Sequence, residues 1–485
     1  ADLTYVSFSF KVGSNKIQKE SIGAYTLHDI FAFAGNAIQG NSIFENGTLG
    51  IDLGGDGVTP NDDFDADSSP NRLQNFPILT ALITENSATR FAGGLGSTAG
   101  ASFRIEFFSS EAQDPTLHGE GQTFLGFTNT TSDGNGDAIF SVLLPVARSR
   151  NLFYTATATN TATNDTSEFS PVFAPIIVNS TGDAGDSDLD DGRCFTGVNT
   201  PAGDPECPMR AAIRTANDRL GMDSIEFDIR TTPVIQPLAQ LPDIEEAALI
   251  DATTQPGFVT TPVVRLEGTN AGDADGLRID SSNVEIRGLA IDHFQGIGLL
   301  SFNTIHLADI EVVNNGRSGI QVNNEALHIT GKAKVNNNGL LTPPAQCSLQ
   351  FPPVVSAIRA TGEITAEAVE VMNNCGAGIF TFERIELGNT TVIGNGSFGV
   401  FGSRGVTLTG DGHDISDNGE RGLDSIDGPV TITGSLRANN NGQREAQMGG
   451  PQACFNQPGG IAAEGTIMAD DIEASPDFGM LEPSK

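Results

Sequence analysis

Carboxylates dominate the chemistry open to this chain of 485 residues, which carries 61 Asp and Glu against 26 Lys and Arg, a formal charge of −35. Asp56, Asp62, Asp63, Asp65 and Asp67 crowd one Gly/Pro/Asn-rich stretch, and Asp63-x-Asp65-x-Asp67 alternates carboxylates as calcium loops do. Calcium takes about six to eight oxygens, which such a turn can supply from side chains and carbonyls, so calcium is the expected ion. A second acidic run, Asp183, Asp186, Asp188, Asp190 and Asp191, is a weaker calcium candidate, lacking the glycine and spacing of an EF-hand loop. A third group, Asp411, His413, Asp414 and Asp417 followed by Asp424 and Asp427, is the best local candidate for polysaccharide cleavage. Stacking at 23 residues would set only Thr391 and Arg437 beside Asp414, so this group is expected to be a surface turn. The six histidines are scattered, and Gly-x-Ser-x-Gly, phosphate-loop and His-Glu-x-x-His motifs are absent. The negative charge argues against nucleic acid and anionic membranes as partners.

Cys194 and Cys207 bracket a short Gly/Asp/Pro loop and are expected to pair, whereas Cys347, Cys375 and Cys454 are dispersed and at least one is left over. With the acidity, a disulfide points to an oxidising, extracellular setting. No stretch approaches the roughly 18 to 20 apolar residues that span a bilayer, and Ala1-Asp2-Leu3-Thr4 lacks the regions of a secretion signal, so any such signal is expected to be already removed or to lie outside this sequence.

The elements that would carry these residues announce themselves by repetition. Asn315-Gly316-Arg317-Ser318-Gly319-Ile320 returns as Asn374 to Ile379, Asn395 to Val400 and Asn418 to Leu423, while Asn338-Gly339 and Asn441-Gly442 open insertions near 340–360 and 443–464. The steps of 21 to 23 residues carry short strands without helical spacing, which suits one coil of a parallel β-helix. In that reading Asn315, Asn338, Asn374, Asn395, Asn418 and Asn441 sit left-handed at the corner and bond to the Asn above and below. Gly follows four residues later for the bend, and Ile, Val or Leu then points inward. Asp292 fits the register one coil earlier, and Asn46-Gly47-Thr48-Leu49-Gly50-Ile51 matches the turn near the start of the chain. Residues 77–174 alternate apolar and polar between Gly/Asn/Asp turns, as in Phe103–Phe108, Ala138–Leu143 and Leu152–Thr157, and read as a small immunoglobulin-like sandwich. Pro208 to Asp218 is the one convincing helix, a cap for the β-helix.

Val178-Asn179-Ser180-Thr181, the loop 183–191, Asp191-Gly192-Arg193-Cys194 and Cys207-Pro208-Met209-Arg210-Ala211-Ala212-Ile213 together resemble a CSLREA domain. That family's motif is Cys-Ser-Leu-Arg-Glu-Ala, and Pro208, Met209 and Ala211 replace its second, third and fifth residues. The segment Ile250 to Gly257 is similar to the lead into the right-handed parallel β-helix of those proteins, and Thr155–Ser170 to the closing strands of the sandwich that follows it. The resemblance implies a secreted or surface-attached bacterial protein of largely unassigned biochemistry.

The expected architecture is therefore all-β: β-helix coils and acidic loop (1–76), sandwich (77–174), CSLREA-like cap and first coils (175–270), and a right-handed parallel β-helix with two long insertions (271–485). The expected function is non-enzymatic and structural. Ile38 and Ile51 of one copy would stack on the coil holding Phe478 and Met480 of another, head to tail. An adhesin-like module contacting glycan or cell surface through the insertions is the alternative, and a polysaccharide lyase or hydrolase the remote one.

Overall fold

The computed structural model describes residues 11–12, 15–16, 34–67, 70–85, 88–149, 152–173, 175–189, 193–219, 223–341, 355–442, 461–463 and 467–474. The chain is all-β apart from one α-helix and short 3₁₀ turns among these residues, and none of its helices is long and apolar enough to cross a membrane. It divides into two compact units, residues 1–175 and 176–485.

The first unit contains two antiparallel three-stranded sheets. One runs Ile78–Glu85, Ala88–Gly96, Asp137–Leu144; the other places Ser102–Ser110 between Thr123–Thr131 and Phe153–Asn160. Alternate residues of Ala88–Gly96 are buried, as strand geometry requires. Phe91, Phe103, Phe107, Phe140 and Tyr154 from the two sheets share one core, with the Phe91 and Phe107 rings 4.9 Å apart. Gly93 is obligatory there, because a Cβ would lie 2.2 Å from the Ile78 carbonyl oxygen and 2.6 Å from the Phe140 ring.

Residues 34–76 depart from the expected coils. Their described part holds no strand, only a bridge between Ile43 and Gly121 and a 3₁₀ turn at Pro70–Leu73. Carboxylates take the backbone N–H groups that a coil would donate to its neighbour. Glu106 accepts from Gly40 (2.7 Å), Glu120 from Asn46 (3.1 Å), Asp165 from Gly35 (2.6 Å), and Glu168 from both Leu53 and Thr59 (2.9 Å each). Ile38, Ile43, Ile51 and Leu53 pack with Phe108 and Phe169 in a second core cluster. Asn46 is thus no ladder residue: its amide bonds Glu120 at 2.6 Å. Ile38 and Ile51, expected at an intermolecular joint, are buried within the first unit. Phe478 and Met480 lie outside the described residues.

The second unit is a parallel β-solenoid whose coils feed an eight-stranded and a fifteen-stranded sheet. Inward residues stack in register. One column runs Ile225, Ile250, Ile286, Leu307, Ile329, Ala366, Leu387, Leu408, Ile432. Another runs Leu277, Leu299, Ile320, Ile358, Ile379, Val400, Leu423, Ile461. Both belong to a single apolar core apart from the last residue, which is not described in burial. The helix Met209–Asp218 lies against the first strands, Ile176–Val178 and Asp223–Phe227, and its Met209, Ala212, Ile213 and Ala216 join that core. Residues Ser356–Ala360 and Ile461–Ala463 already belong to the eight-stranded sheet, so both insertions return to the solenoid before the ends assigned to them from sequence.

At the corner, the six asparagines form one continuous ladder. Asn315 Nδ2 donates to Asn338 Oδ1 (3.0 Å), Asn338 to Asn374 (3.0 Å), Asn374 to Asn395 (2.9 Å), Asn395 to Asn418 (3.0 Å) and Asn418 to Asn441 (3.0 Å). Each Oδ1 also accepts the backbone N–H of the preceding Asn, for example Asn338 N to Asn374 at 2.8 Å. The second amide hydrogen goes to a strand carbonyl, as from Asn374 to Val335 at 2.8 Å. Two expectations shift. The left-handed residue is the one before the ladder Asn: Asn314, Asn337, Asn373, Gly394, Asp417 and Asn440 have φ between 53° and 70°. The rung before Asn315 is Phe294, whose N–H bonds Asn315 Oδ1 at 3.0 Å, and not Asp292.

Asn374→Ala should leave the N–H of Asn338 and one of its amide hydrogens without an acceptor and take one of two donors from Asn395 Oδ1, all buried. At roughly 1–3 kcal/mol for each unsatisfied buried group, partly relieved by rearrangement, the solenoid should lose about 3 kcal/mol or more. Urea unfolding checks it; a loss under about 1 kcal/mol would show that the ladder is not what holds the coils.

Candidate functional site

The first acidic loop is shaped by the turn that carries it. Phe64 and Asp65 both have left-handed backbones (φ 65° and 53°), which swings Asp65 inward. Its carboxylate accepts hydrogen bonds from Ser97 Oγ (2.5 Å), Gln74 Nε2 (2.5 Å) and Asn75 N (3.2 Å). Burial, with Asp62 and Asp67 adding to it, pushes the Asp65 pKa up to about 6. Oxygens of Asp62, Asp65 and Asp67 lie within 4.8 Å of one another, and this is the one such group of possible metal ligands among the described residues. Asp56 and Asp63 are exposed and outside it. Three carboxylates can begin an oxygen shell for calcium, and an ion there would neutralise their mutual repulsion.

The second acidic loop is put to a different use. Asp183 receives Arg210 Nε (2.9 Å) and Nη2 (3.0 Å) from the helix and the N–H of Leu238 (3.0 Å). Asp186 accepts Thr215 Oγ1 of the helix (2.5 Å) and the N–H of Asp188 (3.1 Å). These carboxylates fix the cap to the solenoid, and Asp183, Asp186 and Asp188 do not gather as ligands. Beside them Cys194 and Cys207 form a disulfide with Cα atoms 5.3 Å apart. Cys375 is disulfide-bonded as well.

The third group does not converge. Asp414 faces outward on the fifteen-stranded sheet, opposite Thr391 and Arg437, with an Arg437 contact of 3.4 Å. Asp424 sits on the eight-stranded sheet and pairs with Arg421 at 2.9 Å. Asp417 is a ladder corner, and Asp411 accepts the N–H of Ser435 at 3.2 Å. His413, expected at the surface, points with Ile415 into the solenoid and is buried. Its ring nitrogens have no close hydrogen-bond partner among the described residues. Burial lowers its pKa; the nearby Gly410 carbonyl and Asp411 carboxylate favour the protonated ring but do not offset that. The period of two from Ile415 was the signal that places it.

One constellation carried no sequence motif. Glu267 and Asp292 are in register on neighbouring coils. Asp292 is buried and pairs with Arg265, and His293 Nδ1 lies 3.4 Å from it. Burial raises the Asp292 carboxyl, against the pull of Arg265. Burial acts to raise Glu267 too, but hydrogen bonds from Thr269 and Gln236 and the His293 charge hold it below its usual value. Elsewhere on this outer face the charges tie coil to coil: Lys334 to Glu311 (3.0 Å) and Lys332 to Glu370 (3.1 Å).

No family model matches the chain, and no curated protein matches it. Among solved structures, the catalytic unit of a thermostable GH87 alpha-1,3-glucanase from Streptomyces thermodiastaticus is similar at 10% identity, over 83% of this chain and 96% of that chain, with a TM-score of 0.20. A likeness this faint carries no argument about function. The CSLREA resemblance accordingly rests on the residues quoted for it alone.

Two measurements follow from the shifted groups. A His whose folded pKa is depressed leaves stability complete above its ordinary value, near 6.5, and removes it as pH falls. His413→Leu should therefore gain in urea midpoint over the parent chain increasingly from about pH 7.5 to 5, and an advantage that does not grow would refute the buried neutral ring. Asp65 has the opposite sign: its raised pKa gives stability at acid pH that is lost as pH rises through about 6. Asp65→Asn should flatten that slope in thermal melts and weaken calcium binding at least tenfold in calorimetry.

Proposed function

We propose that the chain is a non-enzymatic, extracellular structural protein whose solenoid acts as a stiff rod that associates with copies of itself. The supporting observation is the unbroken asparagine ladder, seconded by cross-coil ion pairs on the outer face, which commits the polar residues of successive coils to holding one another. Networks of this kind favour rigidity over a mobile cleft. The disulfide at Cys194–Cys207 supports an oxidising location. Calcium at Asp62, Asp65 and Asp67 would stiffen the first unit. The joint proposed from sequence needs revision: Ile38 and Ile51 would have to leave the Phe108–Phe169 cluster to reach a second copy. Glycan or cell-surface contact through the insertions remains the alternative partner class, and residues 342–354 and 443–460 lie outside the described residues.

A second reading, cleavage of a polysaccharide, is favoured by one observation: adjacent carboxyls at Asp292 and Glu267 are shifted in opposite directions, as a proton donor and its ionised partner would be. Loss of a measured glycanase activity in Asp292→Asn would establish it in place of the first.

Negative-stain microscopy and light scattering, with calcium and with a chelator, test the structural reading. Rods or filaments of regular repeat are expected, and uniform monomers under both conditions would overturn self-association. Ile51→Asp should unfold the first unit, seen by near-ultraviolet dichroism and proteolysis, even in dilute monomer; a folded variant that only fails to assemble would restore the stacked joint.

A further inference from the structure

We propose that His306 and His328 form a site for a divalent transition-metal ion of the zinc or copper class. The two residues occupy the same column on adjacent rungs of the fifteen-stranded sheet, in direct register. Their neighbours Ile305, Leu307, Leu327 and Ile329 point into the core, so both imidazoles project outward. The rings stack with centroids 5.0 Å apart and planes inclined by 24°. Cross-strand placement fixes the Cα separation at about 4.8 Å, and to share one ion the two rings must turn out of this stack, so that a nitrogen of each points at a common position at the roughly 2.0–2.1 Å of zinc–imidazole bonds.

The next rung supplies the part that turns a stack into ligands. Thr365, in register with His328, has its hydroxyl 2.8 Å from His328 Nδ1. With Nδ1–H donating to that oxygen, Nε2 keeps its lone pair and the ring is held in orientation, the arrangement that outer partners impose on metal-bound histidine. Two carboxylates stand in the wider surroundings without gathering as ligands: Glu285, which precedes His306 in the same column and is paired with Arg287 at 2.6 Å, and Glu363, whose charge acts on His328. Two imidazole nitrogens with carboxylate or water oxygens suit zinc or copper, whereas calcium and magnesium seek all-oxygen shells such as Asp62, Asp65 and Asp67.

The test uses the full chain. Zinc is titrated by calorimetry, and copper(II) is followed by electron paramagnetic resonance, where bound nitrogens split the signal. One saturable site is expected, with copper showing two coordinated nitrogens, and affinity falling at least tenfold from about pH 7.5 to 5.5 as the imidazoles protonate. His306→Ala and His328→Ala should each weaken zinc at least tenfold, Thr365→Val less so, while Asp65→Asn leaves zinc unchanged and calcium leaves the copper spectrum unchanged. If an alanine variant unfolds, His306→Gln and His328→Gln keep size and a hydrogen-bonding end. An oxygen-only copper spectrum, absence of a saturable site, or affinity indifferent to both histidine substitutions would overturn the assignment.

Discussion

The solenoid depends on a single requirement: at every corner the chain must turn without leaving a buried polar group unpaired. The asparagine ladder meets it with one side chain per coil. Each amide contributes two donors and an acceptor that takes two hydrogen bonds, and each is used. Because backbone N–H groups can bond only to an oxygen, the ladder also fixes which way every amide faces. The register of the apolar columns follows from this, since a slipped corner would turn inward residues outward. The ladder is indifferent to what lies between its rungs. The step from Asn338 to Asn374 encloses an insertion, yet its bond of 3.0 Å equals that from Asn395 to Asn418, which spans 23 residues.

The first unit solves the same accounting problem by another route. Residues 34–59 have little regular structure, and acidic side chains brought from residues 106–168 receive their N–H groups. Glu120 and Glu168 sit where burial raises their carboxyls, and in exchange several backbone donors are satisfied. A chain with so many carboxylates has put many of them to use as internal acceptors, here and at Asp183 and Asp186 against the helix.

Where structure follows from local pattern, the sequence was readable. The coil period, the six ladder asparagines, the strands around Phe103–Phe108 and the helix from Pro208 all rest on spacings of a few residues or one coil. The corner was misplaced by one residue, although Asn314-Asn315, Asn337-Asn338 and Asn373-Asn374 offered two candidates for each turn: the inward amide needs an ordinary backbone, so its predecessor takes the left-handed one. Asn46 to Ile51 shows the limit. Its six residues match a coil turn, but Glu120, 74 residues away, takes the Asn46 N–H, and no local window contains that acceptor. The acidic loops were likewise alike in composition; Arg210 and Thr215, from the helix, are what separate a clamp from a ligand cluster.

The ladder has one further property. Every side-chain amide donates toward the next coil in chain order and accepts from the previous one, so the carbonyl-to-amino dipoles of Asn315 through Asn441 all point the same way. Such dipoles add, as they do along an α-helix, and polarise one another. The column is an electrical arrow running along the stack, with its acceptor pole at the Phe294 rung and its donor pole toward Asn441. Both poles lie inside the solenoid: the Phe294 N–H meets the acceptor pole, with earlier coils before it, and the strand Ile467–Ala474 follows on the side of the donor pole.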